Sequence, residues 1–190
     1  DDAKSTVTNA DLVDLENKEI TLLNKRYMFV KSPVSTTSNE VTLNLIYGAI
    51  TSTLKENEER EFKINNVAHK IKLVTLSSSR KKAIISVNNA NNQELKEGET
   101  VVINGIVIGV SKIVSSESDE GSDFVDIFLG AEKLSLKDSN YGDSTFIKGA
   151  NINGKDLKKA YVKIEASALS STEFKISKIK YRLAPDSKDS

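Results

Sequence analysis

The chain has 190 residues, 38% of them hydrophobic, enough for one sizeable domain or two small β modules. Its 27 Lys and Arg balance 27 Asp and Glu, so no net charge draws it to nucleic acid or to an anionic membrane. It has no Cys, no Trp and a single His, His69, which removes disulfide staples and thiolate metal sites. No apolar run approaches the roughly 20 residues of a helical membrane span.

In chain order, residues 1–10 are small and polar and read as a flexible arm, or as a strand that orders only against a partner. Leu12, Val13 and Leu15 fit one helical turn. Ile20, Leu22 and Tyr27 to Val30 read as short strands around a turn at Asn24-Lys25, and Pro33 with the Ser/Thr run at 35–38 breaks this unit. Val41, Leu43 and Leu45 alternate along a strand, and Gly48 marks a bend or bulge. Phe62 and Ile64 lead into an Asn65-Asn66 turn, after which Val67, His69, Ile71 and Leu73 share one strand face. Ala83 to Val87 is a buried strand, followed by the turn-rich NNANNQ.

Leu95 to Val114, LKEGETVVINGIVIGVSKIV, reads as strand, Asn104-Gly105 turn, strand. Two apolar runs joined by Asn-Gly are a strong hairpin signal, because a type I′ turn needs φ > 0 at both central residues. The acidic SSESDEGSD follows, then strands on either side of Gly130. Ile152 to Lys155 is a further turn. Tyr161 to Ala166 and Phe174 to Leu183 are long strands of period 2. Ile176 and Ile179 break the alternation, which predicts a bulge near Ser177-Lys178. The sum is an all-β fold: sandwich- or barrel-like modules of antiparallel hairpins, roughly ten strands, almost no helix. Residues 51–138 are expected to form a central module. Residues 11–50 with 139–184 are expected to form a discontinuous second one, with 185–190 as a tail.

Two internal likenesses stand out. LKENEEREFKINNVAHKIKLV (Leu54 to Val74) matches the Leu95 to Val114 stretch in order. VTLNLIYGAITSTL and VDIFLGAEKLSL match around Gly48-Ala49 and Gly130-Ala131. A duplicated strand–hairpin unit and the shared grammar of β-hairpins are both open readings.

No catalytic constellation and no cofactor motif is present: there is no nucleophile elbow, zinc-binding helix or P-loop. His69 reads as a packing residue among Val67, Ile71 and Leu73. Glu117, Asp119, Glu120 and Asp123 are the calcium candidates, since hard cations take six to eight oxygens, although their spacing is not that of an EF-hand. Asp138, Asn140 and Asp143 are a weaker set. The alternative for both is a solvated tip whose charges resist edge-to-edge pairing. Arg80, Lys81 and Lys82 form a basic spot without aromatics to stack bases. The lysines at 158, 159, 163, 175, 178 and 180 read as solvated strand faces, or as subunit contacts against the acidic loops.

The order of these motifs resembles archaeal surface-layer (S-layer) proteins. The resemblance is carried by TVTNADLVDLENKEITLLNKRYMFV, AIISVNN, the Leu95 to Val114 stretch and VDIFLGAEKLSLKDSN. It covers most of residues 6–138 and the remainder more weakly. It implies an extracellular structural protein, not an enzyme, that assembles with copies of itself into an array, filament or tube. The polar arm and the tail after Ala184 would join subunits by strand addition. This chain departs from the family in being short, with no anchor segment and no Ser/Thr-rich stalk. A start at Asp1, without an initiator Met, fits a mature exported chain whose signal peptide is gone, or an excised domain. The alternative function is a glycan- or protein-binding β module of a cell-surface protein.

Overall fold

The computed structural model describes residues 3–47, 50–77, 82–90, 92–97, 99–114, 123–130 and 132–184. Among these the chain is all-β, with twenty strands, one 3-10 turn at Val13–Leu15 and no α-helix. The count exceeds the expected ten partly because runs that read as one strand divide, as Leu95 to Ile103 does between Gln93–Lys96 and Thr100–Ile103, and partly because four strands have only two residues, such as Asp11–Leu12 and Val34–Ser35. So short a strand shows no alternation in sequence.

In chain order the strands begin with β1 (Ala3–Thr8), β2 (Asp11–Leu12), β3 (Glu19–Leu22), β4 (Lys25–Phe29), β5 (Val34–Ser35) and β6 (Glu40–Tyr47). They continue as β7 (Ile50–Lys55), β8 (Glu59–Ile64), β9 (Val67–Ser77), β10 (Lys82–Val87), β11 (Gln93–Lys96), β12 (Thr100–Ile103), β13 (Ile106–Val114) and β14 (Phe124–Gly130). The last are β15 (Glu132–Asp138), β16 (Ile147–Lys148), β17 (Ala150–Ile152), β18 (Lys155–Asp156), β19 (Ala160–Ala168) and β20 (Glu173–Leu183). Two compact units result: Asp1–Leu45 with Lys133–Ser190, and Ile46–Glu132. The chain passes between them within β6 and again within β15, a few residues before the boundaries expected at 50 and 138.

The first, discontinuous unit carries two sheets. One has the order β16-β19-β20-β1-β2; the other runs β18-β17-β15-β6-β4-β3, with β5 also on β6. Residues 3–8, expected as a flexible arm, are strand β1. Their main chain pairs with β20 from Ala3↔Ile176 to Thr6↔Glu173 and with β2 at Val7↔Leu12. The bulge expected near Ser177 is present: Glu165 pairs with Lys178 and Ala166 with Ile176, leaving Ser177 as the extra residue.

The second unit is a sandwich of two four-stranded sheets, β11-β10-β9-β8 and β12-β13-β14-β7. Leu54, Ile71, Leu73, Ile85, Leu95, Ile108, Ile127 and Leu129 fill one core that draws on both sheets. Its two halves, β7–β10 and β11–β14, are built alike. Each half contributes a three-stranded meander to one sheet and its first strand to the other. Thus β7 pairs with β14, placing Leu54 opposite Val125, and β11 pairs with β10, placing Leu95 opposite Ala83.

The likeness extends to detail. Phe62↔His69 in one hairpin corresponds to Ile103↔Ile106 in the other, and the first hairpin is longer by two residues in each arm. The register slips at matching places, leaving Val74 unpaired in β9 and Ser111 in β13. Leu95 to Val114 is therefore not one hairpin. Leu95 and Lys96 end β11 in one sheet, and the chain turns there to open β12 in the other.

The hairpin turns follow local chemistry. Asn65-Asn66, Asn104-Gly105 and Asn153-Gly154 all have positive φ at both residues, as two-residue primed turns require. The β3–β4 turn does the same at Leu23-Asn24, with φ of 50° and 58°, one residue earlier than expected. Leucine rarely takes that conformation, so the sequence points to the wrong pair.

Candidate functional site

The outer face of the β16-β19-β20-β1-β2 sheet concentrates cations. Val162, Ile164, Phe174 and Ser5 are buried on its inner side, so alternation turns Tyr161, Lys163 and Glu165 of β19 outward. The register then sets Arg182 opposite Tyr161, Lys180 opposite Lys163, and Lys178 opposite Glu165. Lys148 on β16 also lies opposite Tyr161, and Lys4 on β1 opposite Lys175.

Like charges directly opposite each other destabilise a strand pair. At Lys163 and Lys180 the repulsion is relieved by Glu165, whose carboxylate pairs with both ammonium groups, at 3.3 Å and 2.5 Å. The hydrogen bond from Lys180 is the main reason that the Glu165 carboxyl lies below the usual glutamate range; the bond from Lys163 adds to it. The Arg182 guanidinium lies 5.2 Å from the ring centres of both Phe146 and Tyr161, within cation–π reach.

Strand β1 is held chiefly by its main chain. Ser5 is its one buried side chain among residues 4–8; Val7 is half-buried, and Lys4, Thr6 and Thr8 are exposed. The Ser5 hydroxyl accepts from the Asp14 N–H at 3.1 Å, and the Asp14 carboxylate accepts from the Thr6 N–H at 2.7 Å. That second bond is the leading cause of a lowered Asp14 pKa.

The residues singled out from sequence are not brought together. Glu117, Asp119 and Glu120 lie outside the described residues, as do Arg80 and Lys81. Among the described residues no three Asp, Glu or His side chains cluster to hold a metal ion. The carbonyl of Asp123 accepts from the Glu56 N–H at 3.3 Å. In the weaker set, Asp138 is buried and spends its two oxygens on the Asn140 and Ile164 N–H groups, at 2.9 and 2.7 Å. The Asp143 carboxylate caps the Ser144 and Thr145 N–H groups, which lowers its pKa. Both act as backbone caps. His69 is 7% exposed and occupies the position that Ile106 fills in the matching hairpin. Its Nδ1 is 3.5 Å from the Asn88 side-chain nitrogen.

An apolar groove in the first unit has no counterpart in the sequence reading. Leu22, Leu136, Ala160 and Tyr161 line it, together with Leu23, Tyr181 and Leu183, the last three being exposed large hydrophobics. Tyr181 and Leu183 fall on the inner side by period, so alternation alone marks them as core. None of the family models, curated proteins or solved structures matches this chain. Among the described residues no helix is long and apolar enough to cross a membrane.

Proposed function

We propose that this chain is an extracellular structural protein that assembles with copies of itself through β-domain contacts and strand addition. The observation that carries the reading is β1. It sits in the interior of a sheet, between β20 and β2, yet among residues 4–8 it buries only the small Ser5 side chain. A strand held by main-chain bonds and little apolar area has little side-chain specificity to lose on exchange. The same pairing made between copies would preserve every main-chain bond. The exposed Leu23, Tyr181 and Leu183 add apolar area of the kind that marks contact surfaces, and the S-layer resemblance supplies the class.

The test is a Lys4→Cys, Lys175→Cys double variant of the full chain, oxidised at high protein concentration and run on a non-reducing gel. Exchange of β1 gives a ladder of covalent multimers. A single monomer band at every concentration, together with monomeric light scattering of the unmodified protein, overturns the proposal.

A further inference from the structure

The two units carry opposite charge. Seventeen Lys and Arg face fourteen Asp and Glu in Asp1–Leu45 with Lys133–Ser190, a net of +3. Ten face thirteen in Ile46–Glu132, a net of −3. The imbalance is concentrated in two stretches. From Phe174 to Ala184 there are four cations (Lys175, Lys178, Lys180 and Arg182) and no acid. From Ile113 to Glu132 there are six acids (Glu117, Asp119, Glu120, Asp123, Asp126 and Glu132) and no cation. The first stretch is β20, whose cations stand on the outer face of its sheet beside Lys4 and Lys148. The carboxylates of that sheet's own strands are Glu165, already shared between Lys163 and Lys180, Glu173, and at the β2 edge Asp11, which is buried and paired with Lys31.

We infer that the cationic outer face of the β16-β19-β20-β1-β2 sheet is a docking surface for the acidic 115–123 segment of a second copy. This inference rests on the self-assembly proposed above and supplies its polarity. Opposite potentials on two different surfaces steer encounter and fix register. A contact between two unlike surfaces is heterologous: each copy presents one and receives the other, so the contact repeats without closing unless rotation closes a ring. Zero net charge leaves no overall repulsion to oppose such stacking. The register sets Lys4 opposite Lys175 and Lys163 opposite Lys180, which concentrates positive charge along this face for an incoming anionic segment to meet.

The test uses two charge-reversed forms of the full chain, followed by sedimentation and light scattering. One carries Lys148→Glu and Lys178→Glu; the other carries Glu117→Lys, Asp119→Lys and Glu120→Lys. All of these lysines are exposed, and none makes the Glu165 bridge. Each form alone is expected to associate about tenfold or more weakly than the unmodified chain. An equimolar mixture restores association, because each form then finds an opposite surface on the other. Reversing Lys63 and Lys155, exposed cations off this face, leaves association unchanged. Association of the unmodified chain weakens between about 20 and 500 mM salt, as the screening length falls from about 20 to about 4 Å.

Unchanged association of both reversed forms, or failure of the mixture to recover it, overturns the inference and leaves self-assembly standing. So does a reversed form that assembles normally but no longer binds an added acidic polysaccharide, which would assign the face to that polymer. An unmodified chain that stays monomeric at low salt removes both proposals together.

Discussion

Glu58 and Glu99 hold the same position in the two halves of the second unit. Each carboxylate accepts the backbone N–H of the residue three before it, Lys55 and Lys96, at 2.9 Å. Each backbone N–H also returns to the carbonyl of that same lysine, at 3.0 and 3.1 Å. The neighbouring Glu56 and Glu97 match as well: each uses Oε1 to accept a main-chain N–H near the end of the last hairpin strand, from Leu76 at 3.1 Å and Ile113 at 2.6 Å. The two Leu-Lys-Glu-x-Glu stretches are thus one structural device used twice. It reverses the chain where it leaves one sheet for the other.

Glu58→Ala and Glu99→Ala should therefore cost similar amounts. Each loses the charge-assisted bond to its turn N–H, about 0.5–1 kcal/mol, and Glu58 also loses its exposed ion pair with Arg60, which adds little. Urea unfolding midpoints of the two variants would check this, and a cost for only one of them would contradict the equivalence.

The same carboxylate sets a pH dependence. The Lys55 N–H, and after it Arg60, hold the folded Glu58 pKa below its ordinary 4.5. A depressed folded value adds stability that is present above the unfolded pKa and lost as pH falls through the folded one. Asp14, Asp143 and Glu165 shift in the same direction. Thermal midpoints should fall as pH drops below about 4.5, more steeply in the unmodified chain than in Glu58→Gln. Parallel profiles for the two proteins would contradict this role of Glu58.

Leu54 and Leu95 are the apolar anchors of the two matching turns, at 0% and 4% exposure. Truncating either to alanine opens a cavity in the shared core and should cost about 2–5 kcal/mol. Comparable losses in denaturant midpoint are expected from the two single variants. A change within error of zero at either position would mean that its side chain does not carry the core.

Gly109 lies directly opposite Phe128 in the sheet. A Cβ at 109 would fall 1.9 Å from Cζ of that ring, so the aromatic side chain rests on the glycine backbone. Gly109→Ala should cost about 1–3 kcal/mol by overpacking. Pairing it with Phe128→Leu should recover part of the loss, which a double-mutant cycle on thermal stability would measure.

Leu23, at φ 50° and 58% exposed, stands where an asparagine or glycine turn residue belongs. Leu23→Asn should raise stability by a few tenths to about 1 kcal/mol. Gly105→Ala, at φ 80° in the equivalent kind of turn, should lower it by about 1 kcal/mol. Calorimetric midpoints of the two variants moving in opposite directions are the expected outcome.

What the sequence by itself determined here is local. Asn104-Gly105 and Asn153-Gly154 name their turns because few residues accept positive φ. Period 2 marks the core faces of β9 and β19, and a missed beat at Ser177 marks the bulge, because a pleat has only two sides. The repeated Leu-Lys-Glu-x-Glu is visible as letters. Only the tertiary structure decided which strands those letters join. β7 closes a sheet with β14, some seventy residues later, and β1 with β20, across nearly the whole chain. Such pairings depend on complementary packing between distant segments and on loop closure, and neither leaves a mark on local dihedral preference. The cationic face has the same character. Lys4, Lys148 and Lys178 are scattered in sequence and become one surface only when β1, β16 and β20 are laid side by side.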